Sequence, residues 1–455
     1  MNTNLLVRKV ARRIVPYIFL CYIVNYLDRF NVSFAALEMS SDLGFSEIVY
    51  GLGASMFFVG YVFFEIPSNL IMMRVGARIW IARIMITWGV VSTCMMFVRT
   101  PFSFYLLRFL LGVAEAGFFP GMILYLTYWI PSTERARAFA LFLTSTSLAG
   151  VVGGPISGAL FEMAGVYGLR GWQWLFLLEG IPAVLLGFVT LLHVVDKPEQ
   201  ANWLSATEKN WLKETMKKEQ DEKTLTHGLT LWQTLKHPRV WQLCLLYFSV
   251  VISFYGVAFW LPQIVKSFSG LGNSAVAVLS AVPYVSASIC MVLIANHSDK
   301  VRERRWHIAV PAFAGCVGLG LAVFFLENHY PLPAFFSICL AASGIWSTLG
   351  PFWSLPTAFL TGTACRRRCV DQFHRECRRF YRTLCDRLHK TDHPEFHRRH
   401  ARAGCHAAHR RVSRFESQRI ECAIGQATAN AYRCRVGVSA AEFRLPSRRW
   451  PEDRR

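Results

Sequence analysis

The sequence predicts an all-α polytopic membrane protein: a six-helix N-terminal transmembrane bundle, a C-terminal group of about four spans and a disordered basic tail. Three observations lead to this prediction. The chain is 53% hydrophobic with a mean hydropathy of +0.31. About ten apolar stretches are long enough to cross a bilayer as helices. After Ala364 the apolar pattern stops and an Arg-, Cys- and His-rich composition begins.

The predicted spans fall into a group of six and a group of four. They lie near 15–37, 50–72, 79–98, 103–130, 138–162 and 172–195, then near 240–265, 275–296, 308–327 and 333–359. The predicted domains are therefore a bundle at 1–195, a hydrophilic cytoplasmic connector at 196–238, a partial bundle at 239–363 and a tail at 364–455. Basic residues cluster in alternate loops, so the positive-inside rule places the N-terminus in the cytoplasm.

The first span contains polar and charged residues that are costly at bilayer depth. Asn25, Asp28, Arg29 and Ser33 lie at spacings of three and four, so they are expected to share one helix face. The functional interpretation is a carboxylate that takes up a proton beside a cation that binds an anion. The structural interpretation is a salt bridge that locks helices together.

The fourth span carries a second set of buried charges. Arg108 and Glu115 are seven residues apart, which is two helical turns on the same face and about 10 Å along the axis. Pro120 predicts a local kink after them. A carboxyl group that is both buried and close to an arginine is suited to reversible protonation, although a helix-packing ion pair is the alternative. Tyr61, in the second span, is a candidate hydrogen-bond donor to a carboxylate substrate.

Other chemistries find little support in the sequence. There is no Gly-rich phosphate loop, no paired metal-ligand spacing and no nucleophile motif, so we predict no cofactor, no metal site and no enzymatic activity. The cysteines before the tail stand singly in apolar stretches and are typical of small buried hydrophobic residues.

Several long motifs, in order through residues 1–364, resemble the major facilitator superfamily, and within it the anion:cation symporter group. These motifs are NYLDRFNVSFAALEM, FFVGYVFFEIPSNL, RVGARIWIARIMITWG, LRFLLGVAEAGFFPGMILYLTYW, GWQWLFLLEGIPA and FWLPQIVKS. The group imports organic acids such as tartrate, phthalate, nicotinate, 4-hydroxyphenylacetate and sugar acids. The resemblance implies the major facilitator fold, with two six-helix bundles around a central cavity, alternating access and coupling to protons. With four predicted spans, the C-terminal bundle of this chain is therefore incomplete by two.

The resemblance also implies roles for individual residues. Asp28 and Glu115 match carboxylates implicated in protonation, and Arg29, Arg108 and Tyr61 match residues that face the anion. We add Asn25 to the predicted substrate-binding set from its position on the first span. The superfamily's gating loops are matched, in part, by Arg74, Gly76, Arg78, Asp299, Lys300, Arg304 and Arg305. Asn69 and Met73 depart from the first loop's pattern, so the resemblance implies that the two loops form a gate of unequal strength.

The tail, residues 365–455, holds 22 Arg and one Lys against 10 acidic residues, which is +13 of the net charge of +20. Three interpretations compete: a nucleic-acid-binding arm, a metal-binding segment, or an out-of-frame translation. Allowed codons for residues 365–390, shifted by one nucleotide, encode AAGVALINSIGNVGGFIGPYVIGCIK, an apolar helix. We favour a frameshift after Ala364, and we predict a disordered tail without nucleic-acid binding.

The predicted function is proton-coupled symport of a small organic anion across the inner membrane by a monomer in the lipid bilayer. The predicted partners are an organic acid and a proton. Loss of the last two spans would impair transport by this chain. The alternatives are a non-transporting membrane sensor or scaffold on the same fold, or an inactive product of a frameshifted gene.

Overall fold

The computed structural model describes residues 3–226, 238–353 and 355, with the backbone alone at 3–4, 132–141, 220–226 and 239. All of them lie in the first of two compact units, Met1–Arg368. The predicted frameshift after Ala364 and the disordered tail lie outside the described residues, as do residues 227–237 of the predicted connector. The regular secondary structure of the described residues is entirely helical.

Thirteen α-helices make up the described part of the chain. The first seven are α1 (Thr3–Asp42), α2 (Glu47–Val75), α3 (Ala77–Cys94), α4 (Pro101–Glu115), α5 (Phe118–Trp129), α6 (Ser132–Phe161) and α7 (Gly171–His193). Then come α8 (Ala206–Thr226), α9 (Pro238–Ser269), α10 (Asn273–Leu279), α11 (Ala281–Val301) and α12 (Trp306–Glu327), and α13 (Pro331–Trp353).

Nine helical segments of the described chain are long and apolar enough to cross a membrane. Helices α4 and α5 together form one of them, and α10 and α11 form another. Helix α6 has 30 residues, about 45 Å at 1.5 Å per residue, so it is also long enough to cross. Together these segments give the ten spans that the sequence predicts.

The fourth span is broken between α4 and α5. The sequence predicts a kink at Pro120, whereas the structure places the break at Ala116–Gly117. Gly117 has a φ of +86°, a left-handed conformation that favours glycine. Pro120 falls in the first turn of α5, where a backbone N–H has no helical acceptor in any case. Glu115 is therefore the last residue of α4 and lies directly beside the break.

Small residues bring α2 and α4 close together. A Cβ atom added to Gly112 would overlap the backbone carbonyl oxygen of Phe57, and one added to Gly60 would overlap that of Phe109. Such close approach replaces the hydrophobic effect as a source of helix–helix stability in lipid. It also sets the distance between the side chains that α2 and α4 present to the site described below.

The glycines of α6 pack against helices of the second group. Gly150 lies against the ring of Tyr284, and Gly154 and Gly158 lie against the backbone of α10. The small-residue stretch of this span therefore packs closely against α10 and α11, which joins the first six spans to the last four.

We expect Gly112→Ala to destabilise the protein by about 1–3 kcal/mol, because the added methyl group must push α2 and α4 apart. The matched control is Gly320→Ala in α12, where a Cβ atom meets nothing within 4 Å. That change should be neutral or stabilising by up to about 1 kcal/mol. Thermal unfolding followed by tryptophan fluorescence measures both. Equal unfolding temperatures for the two variants would contradict this account of the packing.

Helix α8, within the predicted connector, contacts the start of α1. Lys9 donates to Glu208 across 3.0 Å, and the backbone N–H of Ser205 donates to the same carboxylate at 2.8 Å. These two donors, the backbone N–H first, hold the pKa of Glu208 below its usual range. The pair is partly exposed, so its contribution to stability is small.

Candidate anion and proton site

Arg29 of α1 and Glu115 of α4 form a buried ion pair. The Nε of Arg29 donates to Glu115 Oε1 at 2.5 Å, and a second guanidinium nitrogen contacts the same oxygen. Arg29 is 6% exposed and Glu115 is fully buried. The sequence predicts that Glu115 acts with Arg108, but the structure pairs it with Arg29, because two helical turns separate Arg108 from Glu115 along α4 while the long side chain of Arg29 reaches Glu115 from α1.

Aromatic rings surround the Arg29 guanidinium. Its central carbon lies 5.2 Å from the ring centroid of Tyr26, 5.3 Å from that of Phe57 and 5.0 Å from that of Tyr61. Ring faces attract a guanidinium electrostatically, and more strongly where water is excluded. The ring of Tyr61 therefore lies beside the Arg29 guanidinium, and its predicted hydrogen bond to a substrate stays a prediction.

The second group of helices reaches the same guanidinium through Tyr255 of α9. Arg29 donates to the Tyr255 hydroxyl at 2.6 Å. Tyr255 was not predicted from the sequence. A phenolic hydroxyl inside the otherwise apolar run VVISFYGVAFW is a weak signal, since a tyrosine in such a run is as often a packing residue. The contact joins the two halves of the chain at the buried ion pair.

Asp28 faces a different helix from its neighbour Arg29. Its carboxylate accepts from Trp88 Nε1 at 2.7 Å, from Ser92 Oγ at 2.6 Å and from Asn31 Nδ2 at 3.2 Å. Consecutive residues point about 100° apart on a helix, so Asp28 is directed at α3 and does not share the partners of Arg29. Trp88 and Ser92, four residues apart on α3, were not predicted. Their spacing of four residues, which puts both side chains on one face of the helix, is the feature of the sequence that indicates a shared partner.

Arg108 of α4 is a buried cation without a hydrogen-bond acceptor among the described residues. It is 1% exposed, and none of its three guanidinium nitrogens has a partner in this part of the chain. Its central carbon lies 5.1 Å from the centroid of Phe57, so Arg29 and Arg108 both lie beside the ring of Phe57. An unpaired charge in a dry interior is costly, which makes this a position where an anion would be strongly stabilised.

Two other buried polar groups near these charges lack partners among the described residues. One oxygen of Glu115, Oε2, has none, and both amide atoms of the predicted binding residue Asn25 have none. Buried polar atoms are almost always paired in native proteins. The site thus offers unused donors and acceptors on α1 and α4.

The predicted gating loops are held by local contacts. In the α2–α3 turn, the backbone N–H of Arg78 donates to Asp196 at 2.8 Å and its Nε donates to the Leu191 carbonyl at 2.6 Å, so the turn is attached to the end of α7. In the α11–α12 turn, Arg304 pairs with Asp299 at 2.6 Å. The remaining basic members, Arg74, Lys300 and Arg305, are exposed. Whether these turns control access stays a prediction.

The sequence profile of the Major Facilitator Superfamily matches residues 18–364. The chain belongs to the major facilitator superfamily. It is a multi-pass membrane transporter and not an enzyme, as the sequence predicts. The matched region ends at the residue after which the composition changes.

Individual relatives agree with this assignment. A protein named "Putative tartrate transporter" from Agrobacterium vitis is 50% identical over 368 residues, 80% of this chain and 84% of that protein. "Putative metabolite transport protein NicT" from Pseudomonas putida is 45% identical over 365 residues, 80% of this chain and 83% of that protein. A bacterial homologue of the human lysosomal transporter Spinster, inward-facing and unoccupied, has a TM-score of 0.61 at 19% identity and covers 78% of each chain, so it shares the fold.

Proposed function

We propose that this superfamily member is a proton-coupled symporter of small organic anions. The observation that supports it most directly is the buried guanidinium of Arg108, which lacks an acceptor among the described residues. A carboxylate substrate would supply that acceptor, since arginine binds carboxylates with two parallel hydrogen bonds. The tartrate transporter name of the Agrobacterium relative supports a carboxylate as the substrate class.

In the proposed mechanism, the Glu115 carboxylate pairs with the Arg29 guanidinium in the way that a substrate carboxylate would. While Glu115 is ionised, Arg29 is engaged, and only Arg108 attracts the incoming anion. Protonation of Glu115 removes the negative charge from the ion pair and weakens it. Arg29 is then free to bind the anion, so the proton and the anion bind together.

Asp28 has a separate role in this proposal. Its three donors hold the carboxylate in one orientation on the α3 side of α1. We assign it as a second proton-accepting group that acts while the two halves reorient, and not when the anion binds to Arg29. Transport then follows by alternating access of the two halves, which is the general mode of such folds.

Because loss of the last two spans is predicted to impair transport, the direct test is uptake of labelled tartrate by a purified version whose reading frame after Ala364 is restored, in liposomes with an acidic exterior. Accumulation above equilibrium, together with alkalinisation of the exterior, is expected. A protonophore should collapse the proton gradient and therefore abolish the accumulation of tartrate. Tartrate accumulation that is indifferent to the proton gradient would overturn the coupling. Absence of binding for a panel of mono- and dicarboxylates would overturn the substrate class.

The same proposal places the protein in the inner membrane of a bacterium with its N-terminus in the cytoplasm. The support is the cluster of basic residues at the start of α1, namely Arg8, Lys9, Arg12 and Arg13. Short basic segments next to a span are retained on the cytoplasmic side.

A further inference from the structure

The turn between α11 and α12 holds a chain of three ionisable side chains, far along the sequence from the anion site. Glu303 Oε2 lies 2.8 Å from His307 Nδ1, and His307 Nε2 lies 2.7 Å from His297 Nδ1. Glu303 also accepts the backbone N–H of Trp306 at 3.0 Å, so it caps the first turn of α12. His297 is near the end of α11 and His307 is near the start of α12, so the chain of contacts ties the two helices together.

The hydrogen bonds limit how many protons this group can hold. A carboxylate only accepts, so the hydrogen on His307 Nδ1 is directed at Glu303. That leaves His307 Nε2 facing His297 Nδ1, and a 2.7 Å separation has room for one hydrogen between them. Two neutral histidines can share a single hydrogen in this way, and so can one neutral and one positively charged histidine. Two imidazolium rings do not, since each would then direct an N–H at the other.

We propose that Glu303, His307 and His297 form a proton-responsive latch on the α11–α12 turn. The latch is closed while the two histidines carry at most one positive charge, and a second proton opens it. Histidine is the side chain whose charge ordinarily changes between about pH 5 and pH 8, so acidification of the compartment that the turn faces is the stimulus.

The other charged groups of the turn are either paired with each other or positive. Asp299 is already paired with Arg304, and Arg304 also donates to Ser298. Lys300 and Arg305 add exposed positive charge to the same turn.

The neighbouring helices offer no compensating carboxylate in their described side chains. Helix α13 and residues 142–161 of α6, which pack against α11, carry no ionisable acid or base other than cysteine. Helix α12 adds only Glu327, at its far end. The group therefore responds mainly to the proton count of its own three members.

Opening of the latch has a local mechanical consequence. When the rings separate, His307 loses its contact with His297 on α11, and the start of α12 keeps only the contacts that Glu303 makes with His307 and with the backbone. The turn also contains Arg302 in the left-handed region, with a φ of +54°. This conformation is unfavourable for a residue with a side chain and needs surrounding contacts to persist. Loosening of this turn would alter the predicted gating loop without any change at Arg29 or Glu115.

Hydrogen–deuterium exchange of the full chain in lipid nanodiscs tests the latch. The peptide covering residues 296–308 is followed at about pH 5.5 and pH 7.5, with each rate normalised to that of the unfolded peptide at the same pH. In the unaltered protein, exchange should be faster at the acidic pH by about two- to tenfold, the range expected for loss of one hydrogen bond. His297→Gln should abolish that difference, because glutamine does not titrate.

The control is His329→Gln, which replaces an exposed histidine in the α12–α13 turn and should leave the pH difference unchanged. Glu303→Gln provides a second variant, since it keeps both histidines and should raise exchange at both pH values. The proposal is wrong if the unaltered peptide exchanges equally at both pH values, or if His297→Gln keeps the full difference. Protection by micromolar Zn²⁺ without a pH response would assign the histidines to a metal site instead and would also overturn it. None of these outcomes depends on anion transport.

Discussion

Arg108→Met is expected to abolish anion binding while making the empty protein more stable. The methionine removes a buried charge that has no acceptor in the described structure and fills the space with an unbranched apolar side chain of similar reach. The cost of arginine at the centre of a span is about 2.5–3.5 kcal/mol on insertion scales, so a gain of up to this amount is expected. Binding loss with a higher unfolding temperature distinguishes a ligand-binding residue from a structural one.

Purified protein is sufficient for this test. Tartrate-dependent shifts in unfolding temperature report binding, and the shift should be absent in Arg108→Met. Arg108→Lys should retain weaker binding, because lysine keeps the charge but loses the paired donors. The matched control is Arg83→Met on α3, a half-buried arginine that stacks on Trp80 at 3.9 Å, which should bind anion normally. Unchanged anion affinity in Arg108→Met would remove the main support for the proposed function.

Glu115→Gln is expected to make anion binding independent of pH. In the unaltered protein the anion should bind more tightly as the pH falls, since a proton must reach Glu115 before Arg29 is released. One coupled proton corresponds to at most a tenfold change in affinity per pH unit. Glutamine cannot ionise, so the variant should bind as the protonated protein does at every pH. In a version whose reading frame after Ala364 is restored, this variant should exchange substrate across a membrane but fail to accumulate it.

Stability provides a second measurement on the same variant. Loss of Glu115 leaves Arg29 without its carboxylate, and removal of one partner from a buried ion pair costs about 3–5 kcal/mol. The double variant Arg29→Gln/Glu115→Gln should recover much of that loss, yet bind no anion. Glu179→Gln is the matched control: it neutralises another buried carboxyl group of the first six spans, one that accepts from Ser157 at 2.9 Å. A pH dependence that survives in Glu115→Gln but not in Glu179→Gln would contradict the assignment.

The charged members of the site could be found from the sequence because of where they lie. Asp28, Arg29, Arg108 and Glu115 stand inside apolar stretches, where a charge is costly enough to require an explanation. The number of spans could be found for a similar reason, since the bilayer fixes the length of an apolar helix.

The partners of those charges could not be found in this way. Trp88, Ser92 and Tyr255 are common in spans for packing reasons, so their identity alone says little. The pairing of Glu115 with Arg29 depends on how the helices pack in three dimensions, which the local sequence does not determine. Ser68 of α2 likewise occupies the space that a Cβ atom of Gly117 would need, and no local pattern reveals this contact.

The contact between Arg29 and Tyr255 has a consequence for the empty carrier. If the two halves rock against each other, the hydroxyl must leave the guanidinium at each crossing, and a hydrogen bond to a charged group is worth about 1.5–3 kcal/mol. A carrier without cargo therefore faces a barrier to reorientation that a bound anion could lower by taking over the same donor. Tyr255 would in that way limit futile cycling and proton leak, although it adds no charge of its own.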